Sequence, residues 1–286
     1  MSKKYYVENL SIETLAELTD EMLRFRKNAK NKKLNLNPVK IIPAVAAVAL
    51  VIGLASIIGM FNINNFFNAD SNAIEKIPEY IVIKGERYST ELTVLVLESA
   101  NLTDIDIEDL KYMINLAELS LWSNQISDLS PLAGLTNLTV LSLTSNAQIS
   151  DINALAGLTN LTHLYLMGNQ ISDISPVAGL TNLIQLDLWG SQIVDLSPLA
   201  GLTNLTFLGL ANTQISDLSI LTELKNLTNL THLDLSKNQI SDLNPLAEWT
   251  NLTSLYLADN LLLSAEQIEE LKEKLPNVYI IPQYPD

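Results

Sequence analysis

Histidine and cysteine, the residues best suited to hold a transition metal or move a proton near pH 7, are scarce in this 286-residue chain, and the spacing of its carboxylates decides what they can do. There are two histidines, His163 and His232, and no cysteine. Seven aspartates recur at a near-constant interval: Asp104, Asp128, Asp151, Asp173, Asp195, Asp217 and Asp242. Calcium needs several oxygens converging on one point. Carboxylates repeated once per unit of a stack are spread at about 5 Å steps instead, so this ladder is expected to cap turns. The two histidines fall three units apart, roughly 14 Å in such a stack, too far to share a metal. No Ser-His-Asp grouping, HExxH or phosphate loop is present. The lack of cysteine removes disulfides and thiolate-bound zinc. Neither an enzyme nor a cofactor or metal site is expected. N-L-T at Asn101, Asn137, Asn160, Asn204, Asn226, Asn229 and Asn251 is formally a glycosylation acceptor. Those asparagines sit where the chain turns back toward its core, and no modification is expected.

The elements that position these residues follow from a repeat. Leucines 92, 116, 138, 161, 183, 205, 230 and 252 open the same phrase, at spacings of 24, 22, 23, 22, 22, 25 and 22 residues. A period near 22 means a solenoid, in which each unit buries its apolar side by stacking on its neighbours. The first positions of each unit alternate apolar and polar, as in a short strand. In one unit Leu161, Leu164, Leu166 and Ile171 point inward, while His163, Tyr165 and Met167 point outward. Stacked strands form one parallel sheet, roughly 35 Å long over seven steps. The ninth position is Asn124, Asn146, Asn169, Asn238 or Asn260 in five units and Ala100, Ser191 or Thr213 in the others. A buried amide there can satisfy backbone groups of its own and the adjacent coil. In the return segment a Ser or Asn precedes Pro131, Pro176, Pro198 and Pro245, as at the start of a short helical turn. Gly134, Gly157, Gly179 and Gly201 are expected to end it. Such segments fit only brief 3-10 turns, giving a shallow arc. Ala147 adds one residue, and Lys225-Asn226-Leu227 adds three.

The phrase L-T-N-L-T-x-L-x-L-x-x-N-Q-I-S-D-L-S-P-L-A-G resembles the 22-residue leucine-rich repeat of bacterial internalin-type surface proteins. It covers Leu92 to Leu263, about 60% of the chain. The resemblance implies an α/β leucine-rich repeat solenoid that binds a protein ligand through its concave sheet, in a Gram-positive-type bacterium. The candidate ligand-binding residues are Trp122, His163, Tyr165, Met167, Trp189, Phe207, His232, Asp234 and Tyr256, all at outward strand positions. Aromatic side chains gathered on an exposed face are what binding hot spots use.

Ile41 to Phe61 is uncharged over 21 residues. As a helix it would be about 31 Å long, the thickness of a bilayer core. Residues 1–40 hold nine Lys or Arg against five acids, and Arg24 to Lys40 holds seven basic residues and no acid. Totals of 17 and 32 leave 8 basic and 27 acidic residues beyond the span, a net of −19. Basic flanks stay in the cytoplasm. A single-pass cell-membrane protein is therefore expected, N-terminus inside and repeats outside, the alternative being a cleavable signal peptide, with no nucleic-acid partner for so acidic a domain. Within the first forty residues Ile12, Leu15, Leu18, Met22 and Phe25 form an apolar stripe suited to the inner leaflet or a cytoplasmic partner.

The resulting organisation is a cytoplasmic segment (1–40), a transmembrane helix (41–61), a tether (62–78), a β cap (79–91), repeats (92–263) and a C-terminal helical cap (264–286). In the β cap a strand at Tyr80 to Lys84 and a Lys-Gly-Glu turn are followed by the first repeat strand. In the C-terminal cap, Ser264 and Gln267 form a capping box, Ile268, Leu271 and Leu275 share a face, and Val278 to Ile281 is a short strand against that helix. The first functional expectation is recognition or adhesion. The alternatives are a transmembrane sensor acting through Ile12 to Phe25, and an intracellular scaffold if Ile41 to Phe61 does not span.

Overall fold

A computed structural model describes residues 77–282. Ile12 to Phe25, Ile41 to Phe61 and most of the tether lie outside the described residues. Among the described residues no helix is long and apolar enough to cross a membrane.

The repeat alternation produces nine three-residue strands in one parallel sheet. They are β3 (Val94–Val96), β4 (Glu118–Ser120), β5 (Val140–Ser142), β6 (His163–Tyr165), β7 (Gln185–Asp187), β8 (Phe207–Gly209), β9 (His232–Asp234), β10 (Ser254–Tyr256) and β11 (Tyr279–Ile281), stacked in chain order. Equivalent residues pair: Leu164 stands opposite Leu141 and Leu186, and Tyr165 opposite Ser142 and Asp187. In-register stacking puts each inward side chain on its equivalent in the next coil, so leucine meets leucine or another aliphatic residue. One continuous core results, running from Ile81 to Ile280. The return segments form short 3-10 turns such as Ser130–Leu132, Ser175–Gly179 and Ser197–Gly201.

Two features of the turns follow a rule that the residue types conceal. The eighth position is left-handed in all eight units: Ser99, Ser123, Ser145, Gly168, Gly190, Asn212, Lys237 and Asp259 have φ between 52° and 78°. Glycine fills it only twice, although an L-residue there costs about 1–2 kcal/mol. By contrast, Gly134, Gly157, Gly179 and Gly201 are not left-handed, so they do not end the turns by the mechanism the sequence suggests. The serines before proline do not cap either. Asp128, Asp173, Asp195 and Asp217 each accept the backbone N–H two residues on, at 2.8 Å. Asp151 and Asp242 serve Asn153 and Asn244 in the same way. The ladder closes turns, and among the described residues no group of three His, Cys, Asp or Glu could hold a metal.

The ninth-position amides bridge coils. Asn124 Oδ1 accepts from the N–H groups of Ala100 (3.1 Å) and Leu102 (2.9 Å), while Nδ2 donates to the carbonyls of Leu97 (2.7 Å) and Leu121 (2.9 Å). The ladder falters in the middle of the stack. Asn169 Oδ1 and Ser191 Oγ are buried without a partner. The inserted Ala147 lengthens the preceding turn, and Ile149 N–H there bonds Asn146 O at 2.9 Å.

Both ends close the core, in ways that differ from expectation. β1 (Tyr80–Ile83) pairs antiparallel with β2 (Glu86–Ser89) through Lys84 and Gly85, both left-handed. The hairpin is thus a separate two-stranded sheet and does not include the first repeat strand. Ile81 and Ile83 join the main core, and Lys84 Nζ reaches Asp106 at 2.9 Å in α1 (Asp104–Ile107). At the far end α2 (Ala265–Lys274) begins with the capping box, Gln267 N–H to Ser264 Oγ at 3.2 Å and Ser264 N–H to Gln267 Oε1 at 2.9 Å. The strand after it pairs parallel with β10 rather than lying against the helix alone. The helix takes the place of a return turn, and the tail becomes a ninth strand.

Candidate interaction face

Side chains at the third, fifth and seventh positions of each unit leave the sheet on the side away from the core. Trp122, 43% exposed, is the most open of the aromatic candidates. His163, Tyr165, Met167, Trp189, Phe207, Asp234 and Tyr256 are half-buried, and His232 is exposed. All nine candidate residues occupy this one face. The third tryptophan, Trp249, is buried.

A polar seam crosses the middle of the face. His163 Nδ1 lies 2.9 Å from Thr162 Oγ1, and its ring stands 6.4 Å from that of Tyr165. Tyr165 donates its hydroxyl to Gln185 Oε1 at 2.8 Å. Burial, reinforced by the charge of Asp187, raises the Tyr165 pKa. Asp187 Oδ1 accepts the N–H of Trp189 at 3.1 Å, and Asp234 Oδ1 that of Ser236 at 2.9 Å. Burial pushes the Asp187 carboxyl up, the Trp189 hydrogen bond opposes it, and the charge of Asp234 adds to it. His163 and His232 are separated by two intervening strands and share no ligand geometry.

Part of the face departs from the expectation that every outward position is wet. Gly209, Ala211, Ser236 and Ala258 are buried. At Gly209 the cover is the carboxylate of Asp187, which sits where a Cβ would stand. Gly209, which pairs with Asp187 on one side and Asp234 on the other, was not among the candidates. A glycine in a strand, flanked by two aspartates one unit away in each direction, is the signal that could have marked it.

A second ladder also went unread. Asn137, Asn160, Asn182, Asn204 and Asn229 donate Nδ2 to a carbonyl of the preceding coil, at 2.8–2.9 Å. With Thr139, Thr162, Ile184 and Thr206, the first four of these line an open groove of about 540 Å³ beside the strand entrances. These asparagines are exposed at the edge of the solenoid rather than turned into its core. Their amides are engaged between coils, which accounts for the recurrence of T-N.

The family model for leucine-rich repeats, in its two-copy form, matches residues 114–157, 159–201, 203–248 and 228–273. No curated protein matches the chain. Among solved structures, internalin C2 of Listeria monocytogenes is similar at 38% identity and a TM-score of 0.50, over 61% of this chain and 86% of that one. An internalin of the same species, inlF, is similar at 31% identity and a TM-score of 0.50, over 70% of each chain. A leucine-rich repeat protein of Leptospira interrogans shares 26% identity at a TM-score of 0.52, over 60% of this chain and 50% of that one. Leucine-rich repeat proteins are protein-binding scaffolds rather than enzymes. On the matched residues and the stacked parallel sheet that they build, this chain belongs to the leucine-rich repeat family.

Proposed function

We propose that the chain binds a protein ligand, or an extended polymer, through the open face of its nine-stranded sheet. We place the repeats outside a cell membrane, anchored by Ile41 to Phe61 with the N-terminus in the cytoplasm. One observation carries the binding reading: Trp122, Tyr165, Trp189 and Tyr256 project from a single sheet, over six strand steps or roughly 29 Å. That length suits a folded partner or an extended chain better than a small molecule, which needs a pocket enclosing most of its surface. The similarity to internalins agrees with recognition at a cell surface. The uncharged segment with its basic cytoplasmic flank supports the anchored topology.

The binding test compares the full-length chain with Trp189→Ala and Tyr165→Ala in capture of a ligand from cell-surface extract. Each variant should weaken capture by about 2 kcal/mol, roughly thirtyfold, while Ser197→Ala on the return side should leave it unchanged. Normal capture by both face variants, with loss in the return-side variant, would place the ligand on the opposite side. For topology, protease added to intact protoplasts should remove the repeats and leave a membrane-held N-terminal fragment. Protected repeats would overturn the orientation.

A further inference from the structure

We infer that the free edge of β3 accepts an extended strand of the protein ligand, apolar at two alternate residues and basic at the next, as a further strand of the sheet. This deepens the binding role proposed above and rests on it. Among the described residues β3 pairs with β4 alone, and the hairpin before it is a separate sheet. Each later coil turns a fixed set of backbone groups toward the coil before it. Glu118 N–H donates to Thr93 O at 3.0 Å, Ser120 O accepts Leu97 N–H at 2.8 Å, and Trp122 O accepts Ser99 N–H at 2.9 Å. The register makes Val94 and Val96 the counterparts of Glu118 and Ser120, and Glu98 follows as that of Trp122. Val94 N–H, Val96 O and Glu98 O therefore face away from the sheet, a template for another chain. The opposite edge is closed to that use. The sixth residue of every coil, from Leu97 to Leu257, donates its N–H to the next coil. Pro282 holds that position after β11 and has no N–H to give. Proline blunts β11, whereas β3 has no such residue.

The side chains beside the open edge define the strand it takes. Val94 is 46% and Val96 59% exposed, whereas their counterparts Val140, Ser142, His163 and Tyr165 inside the stack are half-buried. Apolar residues at alternate positions of an added strand would cover both valines, as cross-strand neighbours do. The next residue in that alternation meets Glu98, which is exposed, as is Glu118 on β4. No outward position of the eight units is Lys or Arg, so a basic residue there finds acids and no competing base. The same charge disfavours a second copy as occupant. The residues after Phe61 hold 27 acids against 8 bases, and two such domains repel each other. The edge also adjoins the proposed binding face, because Trp122 belongs to the coil next to β3. One ligand can therefore pair with the edge and reach the aromatic row.

The test measures binding of the labelled peptide Lys-Thr-Val-Thr-Val-Thr-Lys to the full-length chain, by fluorescence anisotropy at fixed ionic strength. Its symmetric pattern sets valines against Val94 and Val96 and a lysine against Glu98 in either chain direction. Two further peptides carry backbone N-methyl groups, one on the valines and the other on the threonines. Successive N–H groups of a strand point to opposite edges, so only one of these sets faces β3. One methylated peptide should bind about tenfold or more weakly than the parent, and the other nearly as well. Val96→Pro, whose lost N–H faces the open edge, should weaken the parent peptide likewise, and Val96→Ile should not. Circular dichroism melting confirms that each variant is folded, and the methylated pair tests the edge without any variant. Equal affinities of the two methylated peptides would show adsorption without strand pairing and overturn the proposal. A dimer of the native chain in sedimentation that Val96→Pro dissociates would give the edge to a second copy, and overturn it as well. Normal capture of the surface ligand by Val96→Pro, with loss in Trp189→Ala, would overturn the edge as a ligand contact while leaving the sheet as the binding face.

Discussion

Asn238→Ala and Asn169→Ala make the same change at the same position of two repeats, and the structure separates their effects. Asn238 Oδ1 accepts the N–H groups of Thr213 and Ile215, both at 3.0 Å, and its Nδ2 donates to Leu210 O at 2.8 Å and Leu235 O at 3.0 Å. Asn169 donates to Leu143 O at 3.0 Å and Leu166 O at 2.8 Å, and its buried Oδ1 has no partner. At about 1 kcal/mol net for each hydrogen bond, losing four of them costs Asn238→Ala about 4 kcal/mol. Asn169→Ala loses two, but it also removes an orphaned buried acceptor worth about 1 kcal/mol, which leaves a net cost near 1 kcal/mol. Equilibrium urea unfolding of the purified chain, followed by tryptophan fluorescence, measures both. The midpoint of Asn238→Ala should fall several times further than that of Asn169→Ala at constant slope. Equal shifts would refute the reasoning, because they would mean that Asn169 Oδ1 is as well satisfied as its counterpart.

The left-handed position supplies a second contrast by the same measurement. Gly168→Ala should destabilise by about 1 kcal/mol through backbone strain, although its neighbours leave room for a methyl group. Gly134→Ala, free of left-handed strain and with nothing within 4 Å, should be neutral or stabilising by about 0.5 kcal/mol. Leu186→Ala, fully buried in mid-stack, should cost about 2–5 kcal/mol. The raised pKa of Asp187 means that the folded chain holds this proton more tightly than the unfolded one. Its contribution is therefore fully present below the unfolded carboxylate pKa and lost as pH rises through the folded value. Melting temperatures should then show Asp187→Asn more stable than the native chain at pH 7 and level with it in acid; parallel curves would exclude the effect. Asp173, Asp195 and Asp217 run the other way, lowered by the backbone N–H groups that they accept. Their stabilisation is present at neutral pH and lost as pH falls through their folded values.

Period and alternation alone determined the stack, the strand residues, the inward leucines, the bridging amides at the ninth position and the face on which Trp122, Tyr165 and Trp189 stand. These features are legible because in-register stacking makes one short local pattern generate both the unit and its contacts with the next. The separation of His163 and His232 by two intervening strands was legible too, because the backbone sets the spacing of the stack.

Tertiary structure decided what depends on a neighbour one or more coils away. The amide of Asn169 looks the same in sequence as that of Asn238, yet the residue inserted at Ala147 in the coil before it leaves its oxygen unpaired. Gly168 and Lys237 share a left-handed turn that their residue types do not announce, because coil-to-coil hydrogen bonding imposes the conformation on whatever occupies the site. Val278 to Ile281 reads in the sequence as a short strand against the helix, and only the fold shows Tyr279 to Ile281 at the open edge of β10, where unpaired backbone groups make a ninth strand favourable. Gly209 reads only as a weak strand residue, and becomes the position that the Asp187 carboxylate covers once the register places Asp187 and Asp234 on either side of it. A single repeat encodes its own shape, whereas burial, hydrogen-bond satisfaction and the relief of the face belong to pairs of repeats and exist only after stacking.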